Sequence, residues 1–222
     1  MSIRSKIEEL SRELPEGVTL VAVSKTHPVE AISEAYDAGQ RIFGESRPQE
    51  LKSKYDALPK DIRWHMIGNL QTNKVKYIAP FVGLIHSVDN SRLLEVINKE
   101  GGKNNRRINV LLEVHIASEE SKIGWDIAEL RGYINSMAFG EFENIELRGL
   151  MAIASLTGDE SQLRREFMAL KDLFDEFRPL VGDRFDTLSM GMTADYPIAI
   201  DCGATMVRIC SLIFGERDYP VK

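Results

Sequence analysis

At 222 residues, with 43% hydrophobic and 28% charged side chains, the chain has an ordinary globular composition and is long enough for a sizeable core, which suits one domain spanning residues 1–222. Its net charge of −6 and pI near 5.4 argue against non-specific binding to nucleic acid or to an anionic membrane, so any phosphate it holds must be captured by local geometry. The longest apolar runs, such as Val18–Val23, are far too short to cross a bilayer, and the first ten residues lack the apolar centre of a signal peptide; the expectation is a cytoplasmic protein.

In chain order, Ile3, Ile7, Leu10 and Leu14 share one helical face, and Pro15 and Gly17 stop that helix. An apolar strand, Val18–Val23, follows. Pro28 then opens a helix that Gly39 closes, the usual asymmetry of proline at the start and glycine past the end. The pattern repeats as strand Arg41–Gly44 with helix Pro48–Leu58, strand Ile62–Ile67 with helix Thr72–Ala79, and strand Val82–His86 with helix Ser91–Glu100 capped by Asn90. It continues as strand Ile108–Ile116 with helix Trp125–Met137, then strand Ile145–Ile153 with a long helix over 160–178. That helix carries Leu163, Phe167, Leu170, Phe174 and Phe177 on one stripe. Short strands Phe185–Ser189 and Thr205–Ile209 close the chain, with a helix over Asp195–Asp201 between them. Strict alternation requires crossover connections and hence a parallel sheet. Eight units in this length predict a closed (β/α)8 TIM barrel with one extra N-terminal helix.

The working face of such a barrel is the C-terminal end of its strands, and phosphate commonly binds in the loops after strands seven and eight. The two cysteines, Cys202 and Cys210, and the four histidines, His27, His65, His86 and His115, form no CxxC or HxxxH pattern, so no zinc site is readable. At the end of strand one stands Ser24-Lys25-Thr26-His27-Pro28. A low-dielectric barrel mouth disfavours the charged form of an amine, and a neutral amine is what attacks an aldehyde; by position alone, a solvent-facing loop residue is the more ordinary reading of Lys25. Ser189-Met-Gly-Met-Thr193 reads as a strand-to-helix turn whose backbone N–H groups can meet an anion, or as a plain turn. Arg208 ends the last strand and could pair with a carboxylate such as Asp201 or Glu45, while Cys210 and Ser211 offer backbone N–H groups nearby. A lysine, an anion turn and an arginine on one face could all reach one aromatic phosphate.

Leu20-Val-Ala-Val-Ser-Lys25, Phe43-Gly-Glu45, Trp64-His-Met-Ile-Gly68 with Leu70-Gln-Thr-Asn-Lys74, Leu147-Arg-Gly-Leu-Met151, Ser189-Met-Gly-Met192, and Gly203-Ala-Thr-Met-Val-Arg208 with Phe214-Gly215 run in order along nearly the whole chain. Together they resemble the pyridoxal phosphate (PLP) homeostasis family, whose fold is similar to the N-terminal barrel of alanine racemase, the fold-type III arrangement. The resemblance implies that Lys25 holds PLP as a Schiff base and that Arg208 faces the pyridine nitrogen. It also implies that Ser189 and the backbone around Cys210 and Ser211 hold the phosphate, with Gly191, Met192 and Thr193 as further contacts. Lys74 and Lys122 are either secondary PLP contacts or solvated surface lysines. Three positions depart from the family's pattern: Ser46 replaces the asparagine after Phe-Gly-Glu, Cys210 replaces a glycine, and Thr193 replaces a serine.

The resemblance implies a non-catalytic carrier that exchanges PLP with PLP-dependent apo-enzymes; a monomer is the separate expectation for its assembly. The alternative is a PLP-dependent amino-acid racemase. An arginine opposite the pyridine nitrogen leaves that nitrogen unprotonated and the ring a weaker electron sink. Two-base racemisation also needs a second acid/base group, for which His65, His86, Tyr36 or Tyr55 would have to serve. A barrel enzyme of sugar-phosphate metabolism is a third reading, resting on the phosphate loops alone.

Overall fold

The computed structural model describes residues 2–119, 123–136 and 138–215. The apolar runs between turn residues form the strands β1 (Thr19–Val23), β2 (Ile42–Glu45), β3 (Arg63–Met66), β4 (Leu84–Val88), β5 (Ile108–Glu113), β6 (Ile145–Met151), β7 (Thr187–Met192) and β8 (Met206–Ile209). Each strand pairs in parallel with the next, and β8 pairs back onto β1 from Thr19↔Met206 to Ala22↔Ile209, so the sheet closes into a barrel. The helices on the outside are α1 (Ile3–Glu13), α2 (Val29–Asp37), α3 (Pro48–Ala57), α4 (Ser91–Lys103), α5 (Ile127–Asn135), α6 (Glu160–Val181), α7 (Tyr196–Asp201) and α8 (Ser211–Phe214). The (β/α)8 barrel with an added N-terminal helix is therefore the fold.

Most apolar burial lies between strands and helices. There the α6 stripe of Leu163, Phe167, Leu170, Phe174 and Phe177 packs against the sheet, as its period requires. Asn90 caps α4 as expected, its Oδ1 accepting from the Leu93 amide at 2.9 Å. Inside the barrel a separate cluster of Val21, Leu84, Leu111, Met151 and Met206 packs the bore, as side-chain layers do in such barrels. In a parallel pair, residues in register point to the same side. Val21 lies opposite Arg208, and Arg208 is accordingly directed into the barrel, 4% exposed.

Several local expectations are revised. Residues Thr72–Tyr77 form a 3₁₀ helix rather than an α-helix: only Val75 of that segment is buried, too little of an apolar face to hold a longer α-helix in place. Strand β5 stops at Glu113, because Val114 pairs instead with Trp125 in an isolated bridge; α5 then begins only at Ile127, with Asp126 as its cap. Strand β6 ends at Met151. The largest revision concerns Ser189–Met192, expected as a turn but forming the end of β7; the turn itself is residues 193–195. Gly191 makes this possible. It has φ +90, and a Cβ there would sit 2.6 Å from the Ala199 Cβ, so α7 can pack directly on the strand.

Candidate functional site

Lys25 follows the last residues of β1 on a tight turn in which the His27 amide donates to Ser24 O at 3.0 Å and Thr26 adopts φ 69. The residues flanking Lys25 are pinned from the neighbouring β2–α3 unit. The Ser24 hydroxyl donates to Glu45 Oε1 at 2.6 Å, and the Thr26 amide donates to Glu50 Oε1 at 2.6 Å. Lys54 Nζ donates to Ser24 O at 2.8 Å, to Glu45 Oε1 at 2.8 Å and to Glu50 Oε1 at 2.7 Å. Lys54 and Glu45 are both buried; Glu45 Oε2 has no partner among the described residues, and burial pushes its carboxyl up to about 7 against the pull of Lys54. Lys25 itself is half-buried and enters no hydrogen bond or ion pair among the described residues. The turn is thus held rigidly while its amine stays uncommitted.

The same turn touches the other end of the chain. The His27 ring stacks on Phe214 of α8, centroids 4.9 Å apart and planes inclined by 27°. This contact joins the Lys25 turn to the segment that carries Cys210 and Ser211. The β7 and β8 exits are joined as well, since the Cys210 amide donates to Thr193 Oγ1 at 3.2 Å. Two of the positions that depart from the family pattern therefore contact one another. The third, Ser46, packs directly beneath Gly68, where a Cβ would come within 2.6 Å of Ser46 O.

Arg208 does not pair with Asp201 or Glu45. Asp201 is engaged by Arg164 at 3.0 Å on the surface. The Arg208 guanidinium instead donates from Nη1 to Ser189 O at 2.9 Å and Ser189 Oγ at 2.7 Å, and from Nη2 to Ala152 O at 2.9 Å. Burial lowers its affinity for the proton to about 10, while Glu113 and Asp195 work in the other direction. A guanidinium carries five N–H groups, so three are spent inside the protein. The Nε–H and one Nη2–H have no partner among the described residues.

The residues expected to hold the phosphate differ in what their polar groups already bind. Ser189 is fully buried and its hydroxyl oxygen accepts from Arg208, so it backs the arginine. The Met192 amide donates to Asp195 Oδ1 at 2.6 Å and the Cys210 amide to Thr193, so neither N–H is spare. Gly191 acts through backbone shape. The hydroxyls of Thr193 and Ser211 and the Ser211 amide, at the head of α8, remain at the mouth. Lys74 Nζ lies 5.6 Å from the centroid of the Tyr77 ring; Lys122 falls outside the described residues.

Sequence reasoning missed Lys54, Glu50 and Glu113. The Glu50–Lys54 spacing of four on a helix was a visible signal. Glu113 gave none: it ends β5, is 7% exposed and has its carboxyl pushed up to about 7 by burial, partly offset by Arg208. It lines a cavity of about 300 Å³ with Ile67, His115, Ile123 and Ile153 on the side of the mouth away from β1.

An uncommitted amine after the first strand and a buried arginine on the last, on one rim of a closed parallel barrel, define the class of the alanine racemase N-terminal domain, and the family model of that description matches residues 1–218. The chain belongs, more narrowly, to the pyridoxal phosphate homeostasis protein family. It is 42% identical over 201 residues to the pyridoxal phosphate homeostasis protein of Aquifex aeolicus, covering 90% of this chain and 87% of that one. Among solved structures it resembles PipY of Synechococcus elongatus at 36% identity, covering 96% of this chain and 100% of PipY. The TM-score is 0.90 for the structure without PLP and 0.86 for that with PLP bound. Alanine racemase from E. faecalis, 16% identical with a TM-score of 0.75 over 97% of this chain and 58% of the racemase, shares the fold.

Proposed function

We propose that this chain is a single-domain, monomeric, cytoplasmic carrier that binds PLP covalently through Lys25 and takes part in PLP homeostasis by storing the cofactor and passing it to apo-enzymes. The observation that carries this reading is the placement of an unengaged Lys25 just past the end of β1 and of a buried Arg208, with two unspent N–H groups, on the adjacent β8. PipY, alike over its whole length, has been solved with PLP bound, which supports extending that ligand to this chain. Neither Cys202 nor Cys210 is in a disulfide, in keeping with a reducing compartment.

When bound, PLP supplies an aldehyde to which an amine adds reversibly. The work of the chain is to present and confine. Lys25 supplies the amine, on a turn fixed by Glu45, Glu50 and Lys54. Arg208 can only donate, so it would offer hydrogen to a ring nitrogen and leave it unprotonated, which suits holding over turnover. Thr193 and Ser211 would hold the phosphate end. The groups that would have to serve a racemase as second acid or base are engaged elsewhere. His65 and His86 are buried and bonded to each other at 3.0 Å, Tyr36 donates to Asp61 at 2.9 Å, and Tyr55 stacks on Phe81 at 3.9 Å.

Borohydride reduction of the PLP-loaded protein followed by peptide mapping tests the reading. The adduct is expected on Lys25, with a visible absorbance band in the wild type that is lost in Lys25→Ala. A colourless loaded wild type, or an adduct on another lysine, refutes it. Conversion of L- to D-alanine at a few per second, an ordinary enzymatic rate, refutes the carrier role.

A further inference from the structure

Beneath Arg208 a line of polar side chains crosses the otherwise apolar bore. Arg208 Nη1 lies 2.7 Å from Ser189 Oγ, Ser189 Oγ lies 3.0 Å from His86 Nδ1, and His86 Nε2 lies 3.0 Å from His65 Nδ1. All four residues are at most 5% exposed. The far end opens on a different space: His65 lines a cavity of about 420 Å³ at the N-terminal end of the barrel, with Thr19, Ile42, Arg63 and Gly83.

The direction of these bonds follows from their first member. A guanidinium only donates, so Ser189 Oγ accepts from it. The hydroxyl proton then has His86 Nδ1 as its acceptor, which places the His86 proton on Nε2. From there it is donated to His65 Nδ1, and the His65 proton stands on Nε2, facing the cavity. The opposite polarity would aim two donors at one oxygen, turn the positive ends of both rings toward Arg208, and leave the hydroxyl proton buried with no acceptor. Protonating either ring would break the line at the Ser189–His86 or the His86–His65 bond. Burial accordingly holds His65 down to about 3, with Arg63 adding to it, and His86 well below its ordinary range, with His65 and Arg208 adding.

We infer that Ser189, His86 and His65 form a one-directional hydrogen-bond relay whose task is to position Arg208, as two neutral imidazoles in the Nε2–H form. This rests on the reading of Arg208 as the group that faces the PLP ring. The relay makes Ser189 and the two histidines positioning residues: they touch no ligand, and they determine which guanidinium N–H groups are left for one.

The test uses the apoprotein first. Nitrogen-15 NMR of the wild type is expected to show both rings neutral and protonated at Nε2 from pH 5 to 8, and slowly exchanging Arg208 Nη protons. His86→Phe removes the acceptor at Nδ1 and is expected to release those protons to fast exchange and to weaken PLP binding about tenfold or more. His86→Asn places an amide oxygen near the lost Nδ1 and is expected to restore both to within a few-fold. An Nδ1–H tautomer at His86 in the wild type, titration of either ring within that pH range, or a folded His86→Phe variant with unchanged Arg208 signals overturns the inference. If His86→Phe does not fold, the wild-type tautomer measurement still decides. An apoprotein with the expected signals that fails to bind PLP would leave the relay standing and refute the carrier reading.

Discussion

Replacing Glu113 by glutamine exchanges a buried carboxyl for a neutral side chain of the same shape, and its effect on stability depends on pH in a way that can be worked out. Glu113 is 7% exposed and its carboxyl is pushed from 4.5 to about 7 by burial, with Arg208 opposing and Asp89 reinforcing. A carboxyl whose folded-state pKa is raised contributes stability that is fully present below 4.5 and is lost as pH rises to about 7, because the unfolded chain gives up the proton first. At about 1.4 kcal/mol for each pH unit, that interval amounts to about 3 kcal/mol. Glutamine keeps the neutral state at every pH. Glu113→Gln is therefore expected to match the wild type near pH 4.5 and to exceed it by up to about 3 kcal/mol at pH 8. Urea unfolding of both proteins across pH 4.5–8.5 measures the difference through the shift in midpoint. A stability difference that is flat with pH, or a variant less stable than wild type at pH 8, would mean that Glu113 gains more from Arg208 than it loses by burial.

Two further substitutions probe how the rim is built. Lys54→Met leaves Glu45 and Glu50 without their shared cation; breaking a buried pair costs about 3–5 kcal/mol, so thermal unfolding is expected to fall by on the order of 10 °C for a domain of this size, and an unchanged midpoint would show that the cluster adds nothing. Gly191→Ala sets a Cβ 2.6 Å from that of Ala199 at φ +90, and a loss of at least about 1–3 kcal/mol is expected by chemical denaturation, with no measurable loss refuting the close approach of α7.

The barrel was legible because periodicity reports which way a side chain points. The α6 stripe and the alternation of strands with helices each encode an inside and an outside, and the family motifs fixed the order of the site along the chain. Depth was not legible. That Ser189 faces the bore follows from strand alternation, but its lying a layer below the mouth, behind Arg208, depends on strand tilt and register shifts such as the one between Ser189 and Met192. The glycine in Ser189-Met-Gly-Met192 suggested a turn, and its actual cause, the approach of a helix some eight residues onward, leaves no local trace. The Lys54–Glu45 bond was hidden for a similar reason: it closes over nine residues, across the junction between a strand and a helix.

Two lysines stand near the end of the first strand, and the packing makes them chemically unequal. Lys54 spends its three ammonium hydrogens on Ser24, Glu45 and Glu50, so it has no electron pair to offer and no room to swing outward. The amine of Lys25, one residue along from the carbonyl that Lys54 holds, is under no such obligation. Of these two lysines, an electrophile entering this mouth would therefore find only Lys25 competent to react, its selectivity enforced by the neighbour that cannot.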